Sequence, residues 1–135
     1  RANAGNTDAV QFAARLARDH GAELTTLHVI EIPTSLPLDT FFPEKLSLAD
    51  MVMEQAQAIG REFEVPIESQ VKQARSAGET IVEIAKEGHY DLVILGAAKT
   101  PVAPSRALGT TVDYVLRNAP CRVWVLGGKG AASHG

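Results

Sequence analysis

Hydrophobic residues recur at helical spacing in four stretches of the chain. In residues 6–20, Val10, Ala13, Ala14 and Ala17 fall at i, i+3, i+4 and i+7, and this stripe predicts an amphipathic helix. Three further stretches show a comparable stripe: about Lys45 to Phe63, Ser76 to Gly88, and Thr110 to Asn118.

The predicted helices have candidate caps at their ends. The N-terminal candidates are Asn6, Thr7 or Asp8 for the first helix, Ser76 with Glu79 for the third, and Thr110 with Asp113 for the fourth. Gly21 suits the left-handed position that follows the first helix. In the fourth helix the side predicted to face inward consists of Val112, Val115, Leu116 and Ala119.

Four segments between the helices have the pattern of strands: residues 24–31, 65–74, 91–96 and 121–126. Residues 24–31 are rich in β-branched side chains and too few for a helix. Residues 65–74 alternate between apolar and polar positions, which indicates a half-exposed edge strand. Residues 91–96 form an uninterrupted apolar run, which is typical of a strand buried on both faces of a parallel sheet.

The alternation of helix and strand predicts an α/β fold, an open parallel sheet with helices on both faces. A helix of this type normally follows a strand, and residue 1 lies immediately before the first helix. We therefore expect a first strand upstream of residue 1 that is missing from this chain. Residues 1–127 are interpreted as a single domain, and the Gly/Ala/Ser-rich residues 128–135 as a flexible tail.

Composition narrows the class of protein. A chain of 135 residues that is 45% hydrophobic has the size and core of one ordinary domain. Its formal charge of −3 argues against nucleic-acid binding, which usually needs a basic face. One cysteine excludes an intrachain disulfide framework and fits a reducing, cytoplasmic location. The longest apolar runs are far shorter than the roughly 18 residues of a membrane span.

The sequence carries no pattern that favours an enzyme. Histidines and acids do not occur at metal-ligand spacing, and neither a Gly-x-Ser-x-Gly nor a Walker-type motif is present. Cys121 has no nearby histidine or aspartate in sequence to activate it. We therefore expect neither catalysis nor a bound metal.

Ligands of open parallel sheets bind beyond the carboxyl ends of the strands. Gly96 ends a predicted strand there, and Gly109, Thr110 and Thr111 open the fourth helix. Backbone N–H groups and hydroxyls at a helix N-terminus can bind an anion such as phosphate. The alternative is structural, with Gly96 only turning the chain and Thr110 only capping the helix.

A second loop, residues 32–43, is long and contains three prolines and the pair Phe41-Phe42. Loops of this length are functional or disordered, and the composition favours disorder. The phenylalanine pair is predicted to anchor the loop; the alternatives are that it covers a ligand or docks a partner.

Three stretches match a known family: LARDHGAELTTLHV at 16–29, YDLVILG at 90–96, and GTTVDYVLRNAPCRV at 109–123. Together they resemble the universal stress protein family. The resemblance implies a regulatory, non-enzymatic stress-response domain that is usually a homodimer. It also implies a five-stranded sheet in the order 3-2-1-4-5, in which the missing first strand would separate residues 24–31 from 91–96.

The nucleotide-binding branch of that family resembles G-x2-G-x9-G-(S/T). Transferred position by position, the implied nucleotide- or anion-binding residues are Val29, Gly96, Lys99, Gly109, Thr110 and Thr111. Lys99 stands where the family has its second glycine, and Arg1 where it has an aspartate. Pro101 and Pro104 remove two N–H donors from the intervening loop. These departures predict weak binding of ATP or AMP.

Two further expectations concern partners. The opening residues 2–6 (ANAGN) are similar to the start of stress-protein domains fused behind amino-acid permeases. This likeness implies an alternative function, a nucleotide-free dimerisation and regulatory module of a membrane transporter. The last strand is expected at a sheet edge, where pairing with a second copy would make Arg122 and Trp124 dimer contacts.

Overall fold

The structure is a computed structural model, and it describes residues 4–97 and 109–127. These residues form alternating helices and strands in the predicted order. The elements are α1 (Ala4–His20), β1 (Leu24–Glu31), α2 (Pro43–Phe63), β2 (Ile67–Ala74), α3 (Ala77–Glu87), β3 (Leu92–Ala97), α4 (Gly109–Asn118) and β4 (Arg122–Gly127). The chain divides into two compact units, the first built on β1 and β2 and the second on β3 and β4.

In the first unit, β1 and β2 pair in parallel, from Leu24 opposite Ile67 to Glu31 opposite Ala74. Helix α2 packs on this pair and is fixed to it by a polar contact. The Gln57 side-chain amide donates to the carbonyl of Ile67 at 2.8 Å and to the Ser69 hydroxyl at 3.1 Å. That hydroxyl lies 2.9 Å from the Thr26 hydroxyl, across the pair of strands.

The first unit buries two apolar clusters. One is centred on Ala17, Val65 and Ile67, with Val10, Leu24 and Phe63 packed around it. The other is centred on Ile30, Ile32 and Ala49, with Phe42, Leu46 and Val71 around it. Each strand contributes one residue to each cluster: Leu24 and Ile30 from β1, and Ile67 and Val71 from β2. The two residues of each strand are an even number of positions apart, so they lie on the same face of that strand.

In the second unit, β3 and β4 pair in parallel, from Leu92 opposite Arg122 to Ala97 opposite Gly127. Val112 and Val115 of α4 are buried, and α4 contacts both strands. Helix α3 meets α4 where Gly78 lies against Tyr114. A Cβ on Gly78 would stand 3.0 Å from the Tyr114 Cβ, so the absence of a side chain permits this approach.

The predicted helix ends are confirmed in part. Gly21 has a φ of +64° after α1, and the Ser76 hydroxyl accepts the N–H of Glu79 at 3.2 Å. The other predicted caps are wrong. Helix α1 begins at Ala4, so Asn6, Thr7 and Asp8 lie inside it. Helix α4 begins at Gly109, so Thr110 belongs to its first turn.

Two predictions of burial are also wrong. Leu116 is 46% exposed, because the stripe that α4 buries is narrower than predicted and is formed by Val112 and Val115. The apolar run of β3 is half-buried throughout, whereas its pattern predicts burial on both faces. Among the described residues β3 pairs only with β4, and α4 contacts it.

The parallel α/β fold is therefore confirmed. Each described sheet has two strands, so the five-strand order and the additional first strand remain predictions. Residues 128–135, predicted to be a flexible tail, lie outside the described residues.

Candidate functional site

The carboxyl end of β1 carries Val29, the residue predicted to contact a base through its backbone. Val29 is half-buried and lies opposite Lys72 of β2. Beyond Glu31 the chain stays beside β2 for one more residue, since the N–H of Ile32 donates to the carbonyl of Ala74 at 2.8 Å. The proline-rich loop then runs to the start of α2.

Two side chains from the end of β2 hold the proline-rich loop by its carbonyls. The Gln73 amide donates to the carbonyls of Leu38 and Thr40 at 2.8 and 3.1 Å. The Arg75 guanidinium donates through Nη1 to the carbonyls of Pro33 at 2.6 Å and Leu36 at 2.8 Å. The composition of this loop favours disorder, but these donors give the loop a defined conformation.

The two phenylalanines of the pair Phe41-Phe42 differ in burial. Phe42 packs on the cluster of Ile30, Ile32 and Ala49, and the Lys45 ammonium lies 4.8 Å from the centre of its ring. Phe42 is therefore the anchor that the sequence predicts. Phe41, by contrast, is 68% exposed and does not anchor the loop.

In the second unit, Gly96 lies near the end of β3 opposite Leu126, and Gly109 begins α4. Gly109 has a φ of +89°, a conformation that residues with a Cβ rarely adopt. No atom among the described residues lies within 4 Å of where its Cβ would stand. Within the described part of the chain, nothing therefore covers the backbone at the start of α4 on this side.

The first turn of α4 has the charge and the donors of an anion site. It contains no acidic residue, Thr110 is exposed, and Thr111 is half-buried. The first N–H groups of a helix have no partner within it, and they form the positive end of the helix dipole. Gly109, Thr110 and Thr111 thus lie at a helix start of the kind that can bind a phosphate.

The remaining predicted site residues belong to different parts of the chain. Lys99, with the rest of residues 98–108, lies outside the described residues. Val29 belongs to the first unit, and Gly96 and Gly109 belong to the second.

The other reactive side chains that the structure describes form no alternative site. The described residues contain no group of three or more His, Cys, Asp or Glu side chains that could hold a metal. Burial, followed by the nearby Asp91 charge, raises the pKa of the Cys121 thiol, which therefore stays protonated at neutral pH. Burial lowers the pKa of His28 to about 4.

Sequence reasoning missed Gln73 and Arg75. A signal for them was present, because a loop with three prolines has more carbonyl acceptors than N–H donors. Long polar side chains at the end of the adjacent strand can supply the missing hydrogen-bond donors. His28, by contrast, lies within a predicted strand, where a packed histidine is expected rather than a ligand, and it is buried.

A model of the universal stress protein family matches residues 3–127. The chain belongs to the universal stress protein family. A universal stress protein of Methanocaldococcus jannaschii is 24% identical over 126 residues, which cover 88% of this chain and 73% of the relative.

Solved universal stress proteins share the fold. The protein of Archaeoglobus fulgidus in complex with dAMP has a TM-score of 0.69 and 17% identity, with 93% of this chain and 89% of the other covered. A family member from Arabidopsis thaliana with AMP bound has a TM-score of 0.63 and 19% identity, with 92% and 78% covered.

The comparisons give no support to the likeness with permease-linked domains. In the described part of the chain, no helix combines the length and apolar character needed to cross a bilayer.

Proposed function

We propose that this universal stress protein domain is a non-enzymatic regulatory domain that binds an adenine nucleotide weakly. The observation that carries the proposal is the start of α4, where Gly109 has a positive φ and no atom of the described residues fills the space of a Cβ. Two solved proteins of the same fold hold AMP and dAMP, which supports an adenine nucleotide as the anion.

The sequence supports weak rather than tight binding. Lys99 places a side chain where the family motif has glycine, and glycine allows backbone to approach a phosphate closely. A lysine can still pair with phosphate charge, as a point charge without directional hydrogen bonds. We expect a millimolar or weaker Kd, a binding free energy of roughly −4 kcal/mol. Val29 remains the proposed backbone contact to the base.

Calorimetric titration with AMP and with ATP tests the proposal. We expect Lys99→Gly to tighten binding, because it restores the motif, and Gly109→Val to abolish it, because valine strongly disfavours a φ of +89°. Lys86→Ala, which removes an exposed lysine at the end of α3, should leave the affinity unchanged and serves as the control.

The outcomes separate the candidate functions. Low-micromolar ATP binding by the unmodified chain, unaffected by Lys99→Gly, would contradict the weak site. Absence of heat at about 10 mM nucleotide would favour a nucleotide-free regulatory module. Conversion of ATP to ADP during the titration would contradict the non-enzymatic assignment.

A further inference from the structure

Five large apolar side chains of the first unit lie open to solvent between residues 36 and 51. Phe41 is 68% and Met51 56% exposed. We refer to these five residues as the 36–51 surface: Leu36, Leu38, Phe41, Leu48 and Met51. Single exposed hydrophobic residues are ordinary, but a concentration within one short segment is typical of an interaction site.

The part of the 36–51 surface from Phe41 to Met51 is short enough for one small element to cover. Leu48 and Met51 are three residues apart in α2, so their side chains lie on one face of the helix. Phe41 precedes the start of α2 at Pro43 by two residues. The α-carbons of Phe41 and Leu48 are therefore at most about 15 Å apart, the length of roughly three helical turns.

The loop part of this surface is held in place without burying its apolar side chains. Gln73 and Arg75 bind its carbonyls, so Leu36, Leu38 and Phe41 remain exposed on an ordered backbone. A partner that covers them pays little entropy for ordering the loop, and such preorganisation favours binding.

The same hydrogen bonds argue against pairing of a partner strand with the loop. The side chains of Gln73 and Arg75 already bind the carbonyls of Pro33, Leu36, Leu38 and Thr40. The loop also contains prolines, which lack an N–H donor. Recognition by added backbone hydrogen bonds therefore has few groups to use, and the surface must be recognised by its side chains.

Charge around the surface selects the kind of partner. Its acidic residues are Asp39, Glu44, Asp50 and Glu54, all exposed. The basic residues beside them are Lys45, which lies over the Phe42 ring, and Arg75, whose guanidinium binds the carbonyls of Pro33 and Leu36. The negative excess repels an anionic lipid surface and disfavours symmetric contact with the same surface of a second copy. It attracts a cationic partner.

We propose that the 36–51 surface docks a basic amphipathic helix of a partner protein. The apolar face of that helix covers Phe41, Leu48 and Met51, and its lysine or arginine side chains lie beside the flanking carboxylates. Helices that dock on an apolar surface present anchors at i, i+3, i+4 and i+7. This interaction is distinct from nucleotide binding and does not depend on it.

A titration followed by amide NMR tests this proposal on the whole chain. The probe is a synthetic helical peptide with leucine at i, i+3, i+4 and i+7 and lysine at the flanking positions. We expect the amide signals of residues 36–54 to shift. The matched peptide with glutamate in place of lysine should bind at least about tenfold more weakly, because it meets the carboxylates with like charge.

Variants assign the binding to this surface. The double variant Phe41→Ser and Met51→Ser should weaken peptide binding at least about tenfold, since interface anchors contribute most of the affinity. The matched control is Leu116→Ser on α4, which removes a leucine that is 46% exposed and should change nothing. Unchanged circular dichroism of the double variant establishes that its loss is not unfolding.

Four results would overturn the proposal. They are equal binding of the acidic peptide, shifts confined to residues outside 36–54, equal weakening by Leu116→Ser, and no binding at about 1 mM peptide. Two other results would show that the surface binds a different partner. Phosphatidylserine vesicles that bind through Phe41 would show a lipid surface, and self-association abolished by the double variant would show a second copy.

Discussion

His28 is a histidine that the fold keeps neutral. It is 7% exposed and belongs to β1 within the first unit. Burial disfavours the imidazolium and lowers the pKa of His28 to about 4, from an ordinary value of 6.5. Above the pKa of His28 in the unfolded chain, the imidazole is neutral in both the folded and the unfolded chain, so the lowered pKa does not change the free energy of unfolding. As pH falls from 6.5 towards 4, the unfolded chain gains a proton that the folded chain resists, and stability is lost.

The first prediction therefore concerns acid stability. His28→Gln removes the titration, so its free energy of unfolding should fall less steeply than that of the unmodified chain between pH 6.5 and 4. The difference amounts to as much as about 3 kcal/mol. Urea denaturation at a series of pH values measures it. His20→Gln, at an exposed position of α1, is the control, and an equal flattening by it would contradict the assignment.

The second prediction concerns Arg75, whose guanidinium holds the carbonyls of Pro33 and Leu36. Arg75→Ala removes both hydrogen bonds, and each such bond contributes about 1 kcal/mol. We expect faster hydrogen exchange and faster proteolytic cleavage in residues 33–40, with the rest of the first unit unchanged. Arg61→Ala, which removes another exposed arginine of the same unit, should leave the loop protected. Equal loop exchange in both variants would show that Arg75 does not order the loop.

At the scale of elements, the connection from α2 to β2 depends on a glycine inside the helix. The N–H of Val65 returns to the carbonyl of Gly60 at 2.8 Å, and the N–H of Glu64 to that of Arg61 at 3.3 Å. Glu64 has a φ of 57°. These features define a Schellman helix end. A Cβ on Gly60 would stand only 2.7 Å from the Val65 carbonyl oxygen.

The third prediction follows from this close approach. Helix propensity alone would make Gly60→Ala stabilising by about 1 kcal/mol. Because the added Cβ would collide with the Val65 carbonyl, we expect Gly60→Ala to lower the free energy of unfolding instead. The decrease should be about 1–3 kcal/mol, measured by thermal or urea unfolding. Glu64→Gly, four residues later, should not destabilise, because glycine adopts its left-handed conformation without strain. A stable Gly60→Ala variant would mean that this turn relaxes freely.

The elements themselves are largely predictable from local pattern. Residues 24–31 form β1 with the predicted bounds, because β-branched side chains and flanking breaks act within the segment. Helix α2 starts earlier than predicted, at Pro43, since proline is well tolerated in a first turn. The half-exposure of β3 could not be predicted, because an apolar run specifies a strand but not how many neighbours cover it.

The candidate site was predictable only in part, for a similar reason. Gly109 and the threonines after it mark a helix start in sequence, and the structure gives Gly109 the positive φ that explains its residue type. The donors that hold the proline-rich loop come from residues more than thirty positions away. Such contacts arise from the pairing of β1 with β2, and sequence patterns within one segment do not encode them.

At the scale of the whole molecule, β4 is a strand that pairs with β3 alone among the described residues. Arg122 is exposed and Trp124 is 37% exposed. An exposed strand edge with a large aromatic residue is prone to pair with another chain. In a two-fold contact between copies of β4, the free backbone groups of each edge would pair with the same residues of the other copy. This is the usual geometry of a closed dimer.

The last prediction is that the chain forms a homodimer through β4, with Trp124 as a central anchor. Buried aromatic residues contribute most to interface affinity, and a glutamate in their place would be desolvated without a partner. Sedimentation equilibrium at high micromolar concentration should therefore give a dimer for the unmodified chain and a monomer for Trp124→Glu. Leu116→Glu, at a comparably exposed position of α4, should remain dimeric. A monomeric unmodified chain, or a dimer that Trp124→Glu leaves intact, would contradict association through this edge.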